Sequence, residues 1–200
     1  MSVATLTSSN RYQSPPTVPL RRFTVEEYHR LIEEGFFAAD ERFELVNGYI
    51  VAKMARDPIH DAIIEILDEL IRPQLPSGWR MRVQSALTTA TGEPEPDIAI
   101  VPGSPRDRLT SHPRSSEAAL VIEVSNSTLA FDRTEKLRDY ARGGTSVYWI
   151  VNVPEQQIEM HTAPTGDRFA RSEIVPVGQV AEVTIGDSHV VRVVTADMFR

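Results

Sequence analysis

The sequence contains no cysteine, and this absence removes several kinds of protein from consideration. Without thiols the chain has no disulfide framework, no thiolate zinc site and no cysteine nucleophile. Chains that use no disulfide are typical of a reducing compartment. A cytoplasmic location is therefore predicted.

Long apolar runs are also missing. No stretch approaches the roughly 18 consecutive apolar residues that cross a bilayer as a helix. The N-terminus lacks the basic and apolar blocks of a signal peptide. No membrane partner is expected, and the composition, 41% hydrophobic and 24% charged, is that of an ordinary globular protein.

Several familiar motifs of enzyme chemistry are absent. The chain has no phosphate-binding P-loop, no Gly-x-Gly-x-x-Gly, no Gly-x-Ser-x-Gly and no His-Glu-x-x-His. This argues against nucleotide hydrolysis and against serine or zinc hydrolase chemistry. The formal charge of −7 argues against a protein that coats nucleic acid nonspecifically. Residues 80 to 142 nevertheless hold nine basic and nine acidic residues, so the excess negative charge lies outside this segment.

The chain is long enough for one domain with a full hydrophobic core. Residues 1 to 20 are rich in Ser, Thr and Pro without apolar periodicity, which predicts a flexible arm. Residues 21 to 200 show no internal repeat, and they are predicted to form a single domain.

Two predicted strands each carry one carboxylate in an otherwise apolar sequence. Residues 94 to 101 and 119 to 126 are rich in β-branched and apolar side chains, which is typical of short buried strands. Asp97 opens the first strand and Glu123 lies near the end of the second. If the strands are antiparallel neighbours, both carboxylates reach the same rim and can hold a divalent metal. Each acid could instead be solvated or paired with an arginine.

A helix is predicted over residues 132 to 142, directly after the second strand. Asp132, Lys136 and Tyr140 are spaced four residues apart and therefore share one face of this helix. A helix that folds back over the preceding strand could direct Lys136 towards the two carboxylates.

The N-terminal half of the domain is predicted to contain a helix, a hairpin and a second helix. A capping pattern begins the first helix at Thr24, and Asn47-Gly48 favours a β-hairpin turn. Strand alternation would leave Glu44 on the exposed face of that hairpin. Asp57-Pro58 begins a long amphipathic helix with His60 in its first turn, where a histidine is more often solvated than a ligand.

The order of elements predicts an α/β (α+β) fold, with a mixed central sheet flanked by helices and preceded by the N-terminal helix and hairpin. The sheet receives the two acidic strands and a continuous apolar strand at residues 147 to 153. Another strand is predicted at residues 79 to 89, and the C-terminal segment is predicted to form small edge strands.

The order and spacing of these motifs, over about residues 22 to 200, resemble the Uma-two family of restriction endonucleases, a branch of the PD-(D/E)XK nuclease-like superfamily. The motifs that carry the resemblance are Phe23-Thr-Val-Glu-Glu-Tyr28, Phe43-Glu-Leu-Val-Asn-Gly48, His60, Pro96-Asp-Ile-Ala-Ile-Val101, Val121-Ile-Glu-Val-Ser-Asn126, Asp132 to Tyr140 and Tyr148-Trp-Ile-Val151. The resemblance implies a restriction-endonuclease-like fold in which carboxylates coordinate Mg²⁺ or Mn²⁺ and a lysine assists.

The resemblance also assigns roles to individual residues. Asp97 and Glu123 match the two acids of the superfamily motif, and Glu44 matches the acid of the first hairpin, so these three are the expected metal ligands. A lysine is expected two residues after Glu123, but Ser125 stands there. Lys136 is the candidate to replace it. Supporting roles are assigned to His60, Ser125, Asp132 and Tyr140.

The resulting hypothesis is a metal-dependent endonuclease that hydrolyses phosphodiester bonds of nucleic acid, with DNA favoured over RNA and with Asp97, Glu123 and Lys136 as catalytic residues. By analogy with nucleases that cut both strands, a homodimer is possible. One alternative is a non-catalytic binding or regulatory domain that keeps the nuclease fold, as the missing lysine suggests. Another is a structural domain in which both acids are ion-paired.

Overall fold

A computed structural model describes residues 19–38, 40–54 and 56–199. The arm predicted for residues 1 to 20 lies outside the described residues, except for its last two positions. The helices are α1 (Val25–Glu33), α2 (Pro58–Ile71), α3 (Leu129–Phe131) and α4 (Leu137–Arg142). The strands are β1 (Phe43–Val46), β2 (Tyr49–Ala52), β3 (Trp79–Val83), β4 (Ile98–Pro102), β5 (Leu120–Ser125), β6 (Val147–Asn152), β7 (Gln157–Thr165), β8 (Arg168–Pro176), β9 (Val180–Ile185) and β10 (His189–Val194).

A six-stranded sheet in the order β3-β4-β5-β6-β7-β8 forms the centre of the described structure. Neighbouring strands are antiparallel, except that β5 and β6 are parallel. A parallel pair needs a crossover connection, which the helical segment between β5 and β6 supplies. The predicted α+β fold with a mixed central sheet is confirmed.

Strand alternation divides the hydrophobic core between the two faces of this sheet. Ile98, Ile122 and Trp149 belong to a cluster that contains α2 and the β9–β10 hairpin. Their neighbours Ala99 and Val121 belong to a second cluster, which contains Tyr140 of α4. Each large apolar side chain buried in this way contributes about 1.5–3 kcal/mol. The two helices are therefore held on opposite faces of the same strands.

Helix α2 begins as the sequence predicts. The side chain of Asp57 caps the helix by accepting a hydrogen bond from the His60 backbone N–H at 2.9 Å, and Pro58 occupies the first turn. This cap fixes His60 in the first turn.

None of the helices in the described ranges is both long and apolar enough to cross a bilayer.

Three predicted boundaries were wrong. Strand β3 ends at Val83 instead of residue 89, because Gln84 adopts the left-handed region at φ +46° and turns the chain out of the ladder. Strand β4 begins only at Ile98, after Pro94 and Pro96, which have no N–H to donate to a ladder. Strand β8, in the segment predicted to form small edge strands, lies at the edge of the central sheet, but it is nine residues long and pairs with β7 along its length.

The helix predicted for residues 132 to 142 is longer and is interrupted. A π-helical segment, Asp132–Lys136, separates α3 from α4. π-Helical segments are rare in proteins, but those that do occur are often found at functional sites. Here the segment contains both Asp132 and Lys136, which are buried.

Truncating the centre of α2 should test the packing of this helix against the sheet. Leu67 is fully buried in the larger core cluster, so Leu67→Ala is expected to lower the free energy of unfolding by about 2–5 kcal/mol. Ile59→Ala on the same helix is the control, since Ile59 is 49% exposed and should cost about 0.5 kcal/mol or less. Urea unfolding followed by circular dichroism measures both, and equal losses would contradict this packing.

Candidate active site

The register of β4 and β5 brings the two predicted carboxylates together. Ile98 lies opposite Ile122 in the antiparallel ladder, so continuing the register by one residue places Asp97 opposite Glu123. Glu123 alternates with Ile122 and projects to the face on which α4 packs. Both acids are buried, with Glu123 only 3% exposed. The two carboxylates therefore lie together at one edge of the β4–β5 pair, as expected from the sequence.

Lys136 reaches these acids from the π-helical segment. Its Nζ lies 2.8 Å from Glu123 Oε1 and 3.3 Å from Glu44 Oε1. The residue is only 6% exposed, and a buried ammonium is stable only when it is paired. The ammonium group of Lys136 thus forms ion pairs with both strand β5 and the β1–β2 hairpin.

Glu44 is buried, although alternation alone placed it on an exposed face. It is 4% exposed, because the β1–β2 hairpin packs over the site. One oxygen of Glu44 contacts Lys136, and the other accepts a hydrogen bond from the Glu95 backbone N–H at 2.9 Å. The resemblance, which placed Glu44 among the site acids, was the better guide to its surroundings.

Tyr140 lies one turn after Lys136 and contacts the same carboxylate. Its hydroxyl donates to Glu123 Oε1 at 2.7 Å, and the residue is fully buried. From the sequence, Tyr140 was expected to have only a supporting role, on the helix face that it shares with Lys136. The structure adds a direct hydrogen bond, which fixes one oxygen of Glu123 between a phenol and an ammonium.

Ser125 and Asp132 support the turn from β5 into the helix. Ser125 Oγ donates to Asp132 Oδ2 at 2.7 Å, and Thr128 Oγ1 donates to the same oxygen at 2.6 Å. Ser125 therefore occupies the position where a lysine was expected and holds the segment that carries Lys136. Burial raises the pKa of Asp132, while Lys136 and the two hydroxyl donors oppose the rise.

His60 contacts the other acid. Its Nε2 lies 3.2 Å from Asp97 Oδ2, and its Nδ1 lies 3.3 Å from Asp61 Oδ1. The same Asp97 oxygen accepts a hydrogen bond from the Val124 backbone N–H at 2.8 Å. Burial opposes the charge on His60, but the hydrogen bond and charge of Asp97 raise its pKa. His60 therefore orients Asp97 by its contact with one oxygen.

The ionisable groups of the site have shifted pKa values. Burial raises the pKa of Glu123 to about 8; Lys136 opposes this rise, and Asp97, Asp132 and Glu44 add to it. Burial also disfavours the charge on Asp97, but His60, Lys136 and the Val124 N–H together lower its pKa. Burial would lower the pKa of Lys136, yet the surrounding carboxylates raise it well above its ordinary value. The site holds more carboxyl groups than one ammonium can neutralise.

Asn47 holds the hairpin against the helix, a role that its turn position did not reveal. Its Nδ2 donates to the Glu135 carbonyl at 2.8 Å and to Glu135 Oε2 at 3.0 Å. Arg142 Nη1 donates to Asn47 Oδ1 at 3.0 Å. The sequence signal, Asn-Gly, predicted the turn correctly and carried no information about these long-range contacts. Asn47 therefore positions Glu44 relative to Lys136.

Asp139 of α4 also forms hydrogen bonds that hold the hairpin against the helix. It accepts hydrogen bonds from Thr89 Oγ1 at 2.7 Å, Thr91 Oγ1 at 2.8 Å and the Asn47 N–H at 3.3 Å. Burial raises the pKa of Asp139, and the hydroxyl donors oppose the rise. The chain passes so close at Gly92 that any Cβ there would collide with Asp139 and a backbone carbonyl. The turn at residues 89 to 92 is therefore held in place, and so is the start of the segment that leads to Asp97.

A cavity of about 370 Å³ opens onto these groups. All three expected metal ligands line it, together with Lys136 and His60. Cationic side chains that the sequence analysis did not single out also line it, namely Arg42, Lys53 and Arg56. Since they lie far apart in sequence from the acidic strands, no local pattern could have identified them.

The donor chemistry of the cavity suits a hard divalent cation. Asp97 Oδ1 and Glu123 Oε2 accept no hydrogen bond from any described residue, and both side chains line the cavity. Within the described ranges, no three His, Cys, Asp or Glu side chains are arranged to hold a metal together. Mg²⁺ commonly uses only one or two protein carboxylates and fills the remaining positions with water and phosphate. Two free carboxylate oxygens therefore fit this ion.

The fold and the arrangement of acids around one lysine define a restriction-endonuclease-like α+β domain. The chain belongs to the Uma2 (Uma-two) family, whose model, described as "Putative restriction endonuclease", matches residues 25–187. The fold is similar to a crystal structure of "a putative nuclease belonging to DUF820" from Anabaena variabilis, with a TM-score of 0.62 at 17% identity. That match covers 88% of this chain and 97% of the other, and it supports the fold alone. No curated protein matches the sequence significantly.

Removing the ammonium of Lys136 should destabilise the domain. Lys136→Met leaves two buried carboxyl groups without their shared cation, so the free energy of unfolding is expected to fall by about 3–5 kcal/mol. Adding Glu123→Gln should recover part of this loss, because the amide carries no charge. Denaturant unfolding in EDTA measures the wild type, the single variant and the double variant.

The control for this change is Lys53→Met, which breaks a more exposed ion pair with Glu95. It should cost at most about 1 kcal/mol. A loss for Lys136→Met no larger than that of the control would show that the buried pair does not hold the site together.

Proposed function

We propose that the chain is a metal-dependent endonuclease that hydrolyses phosphodiester bonds of nucleic acid. The observation that carries this proposal is the position of Lys136 Nζ, 2.8 Å from Glu123, beside an acid pair that lies across neighbouring strands and lines a cavity. DNA is the substrate that the description of the family implies. Ser125 occupies the position where a lysine was expected. In this proposal the ammonium group of Lys136, from the helical segment that follows β5, replaces that lysine.

Asp97 and Glu123 are the proposed ligands for Mg²⁺ or Mn²⁺, through the oxygens that accept no hydrogen bond. When bound, such an ion acidifies a water molecule and offsets negative charge on the phosphate. Glu44 was expected to be a third ligand, and it remains a candidate if it releases Lys136. With both oxygens of Glu44 engaged, its role in this proposal is to hold the ammonium.

Lys136 acts in this proposal as a charged donor. Its raised pKa keeps the ammonium protonated at neutral pH, which favours stabilising negative charge over removing a proton. In the hydrolysis a water oxygen bonds to phosphorus, the bond to one bridging oxygen breaks, and the leaving oxygen takes up a proton. Tyr140 and His60 are positioning residues, since each fixes one oxygen of a proposed ligand.

Arg42, Lys53 and Arg56 supply the charge that attracts a phosphate backbone to the cavity. Their present partners are carboxylates at the rim: Lys53 Nζ lies 2.7 Å from Glu95, and Arg56 Nε lies 3.6 Å from Asp61. The Lys53 pair is part-buried and the Arg56 pair is exposed, so a nucleic-acid strand would compete at little cost mainly with the Arg56 pair. We place this activity in the cytoplasm, because a chain without cysteine forms no disulfide and is typical of a reducing compartment.

Metal binding and cleavage test this function directly. Asp97→Asn and Glu123→Gln should each abolish Mn²⁺ binding by calorimetry and reduce cleavage of plasmid DNA by at least about 100-fold, a loss of several kcal/mol of transition-state stabilisation. Asp187→Asn, which removes an exposed carboxylate in the β9–β10 turn, should leave both unchanged. Glu44→Gln decides whether the third acid is a ligand.

Two outcomes would contradict the proposal in different ways. Equal cleavage by wild type and Asp97→Asn would remove the acid pair from the chemistry. Mn²⁺ binding that depends on both acids, without cleavage of any DNA or RNA tested, would favour a non-catalytic domain that keeps the nuclease fold.

We also infer that the chain forms a symmetric homodimer through β8. Among the described strands, β8 pairs only with β7, and its Ile174 is 57% exposed. Arg171 and Glu173 flank Ser172, so a two-fold axis at Ser172 would set each arginine opposite a glutamate. A dimer of this kind would carry two cleavage sites, one for each strand of a duplex.

Charge reversal tests this pairing. Arg171→Glu and Glu173→Arg should each place like charges opposite one another and weaken the dimer, and the double variant should restore it. Sedimentation velocity on the four proteins measures the effect. A wild type that stays monomeric at tens of micromolar, roughly the range of weak transient association, would overturn the inference.

A further inference from the structure

Three arginines lie together at the edge of the sheet, outside the cavity described above. Arg80 and Arg82 alternate on the edge strand β3, so their side chains project from the same face. Burial is the largest cause that lowers the pKa of Arg82. The like charges of Arg80 and Arg108 lower this pKa further. Arg80 and Arg108 therefore each repel the guanidinium group of Arg82.

These arginines have few partners of opposite charge. Arg108 pairs with Glu117 at 2.8 Å. Arg80 Nε donates to the Gly103 carbonyl at 3.1 Å, and Arg82 Nη2 donates to the Ala86 carbonyl at 3.1 Å. Within the described part of the chain, neither Arg80 nor Arg82 pairs with a carboxylate.

Two of their nitrogen atoms have no acceptor among the described residues. Arg80 Nη2 and Arg82 Nε are shielded from solvent and donate no hydrogen bond to any residue that the structure describes. A buried donor without an acceptor costs about 1–3 kcal/mol, and more when it is charged. Both side chains are only half-buried, so a rotation near the guanidinium can turn these groups towards a ligand. An oxyanion would satisfy the donors and relieve the repulsion among the charges at the same time.

We propose that Arg80, Arg82 and Arg108 form a binding site for a phosphate group. Planar guanidinium groups present paired N–H donors that match the oxygens of phosphate. The site is separate from the carboxylate cavity and needs no metal. Its ligand is a phosphate of the nucleic-acid strand that enters the cavity, a part of the proposal that rests on the proposed nuclease function.

The register of the sheet supports a shared strand. Arg82 lies opposite Ala99, two residues along β4 from Asp97. Strand spacings of about 4.8 Å and rises of about 3.4 Å per residue place the Cα atoms of Arg82 and Asp97 roughly 8 Å apart. One strand of DNA advances about 3.4 Å per nucleotide, so a phosphate two or three nucleotides from the cleavage position would lie within reach.

The first experiment measures oligonucleotide binding in EDTA, where no cleavage occurs. Fluorescence anisotropy at several salt concentrations gives the slope of log K against log salt for single-stranded and duplex DNA. The double variant Arg80→Gln/Arg82→Gln should reduce the magnitude of this slope by about 1, since one phosphate contact is lost. Arg72→Gln/Arg192→Gln is the control, because it removes two exposed arginines, one at the end of α2 and one in β10, and so makes the same change of charge.

The second experiment uses inorganic phosphate on the full chain. The Nε–H resonance of Arg82 should shift saturably as phosphate is added. Asp97→Asn should show the same shift and the same salt slope, although it no longer cleaves. This variant separates the phosphate site from the nuclease activity.

Each outcome bears on one part of the proposal. No shift with phosphate, together with an unchanged salt slope in the double variant, overturns the site. A shift with phosphate but an unchanged slope, or no oligonucleotide binding by wild type, overturns the nucleic-acid ligand and leaves a site for a free phosphate. If the glutamine variant melts at low temperature, Arg80→Lys/Arg82→Lys should bind phosphate more weakly than wild type, because an ammonium lacks the planar fork. Equal affinity would then overturn the site.

Discussion

The buried ammonium of Lys136 is the constraint on which the rest of the site depends. Placing a charge in a nearly dry interior costs several kcal/mol unless opposite charges surround it. Glu123 and Glu44 provide that surrounding from two elements far apart in sequence. The lysine consequently fixes how the first hairpin sits on the sheet, and the hairpin in turn closes one wall of the cavity.

A layer of neutral donors and backbone contacts makes this arrangement rigid. Tyr140 holds Glu123, His60 and a backbone N–H hold Asp97, and Asn47 ties the hairpin to the helix that carries Lys136. Reacting groups that must keep a fixed geometry need such supporting contacts. Asp97 and Glu123 each keep one oxygen that accepts no hydrogen bond from a described residue, so the contacts that stabilise the fold leave room for the cation proposed above.

The distribution of charge explains how a protein with a net charge of −7 can contact a polyanion. The carboxylates of the site are buried, whereas cationic side chains line the cavity mouth and the β3 edge. Interactions between exposed charges decay over roughly 10 Å at moderate salt. A nucleic-acid strand at the cavity would therefore respond to these local cations more than to the distant acidic residues of the chain.

The sequence alone was enough to predict the order of elements, the two acid-bearing strands and the face shared by Lys136 and Tyr140, because periodicity and turn chemistry are local properties. Its boundaries were wrong at β3 and in the interrupted helix, where a left-handed Gln84 and a π-helical segment follow from packing. Three features could be seen only in the folded chain: Glu44 is buried, Asn47 holds the helix, and the β3 arginines have no carboxylate partner among the described residues. Each depends on contacts between distant residues, and such contacts leave no trace in local spacing.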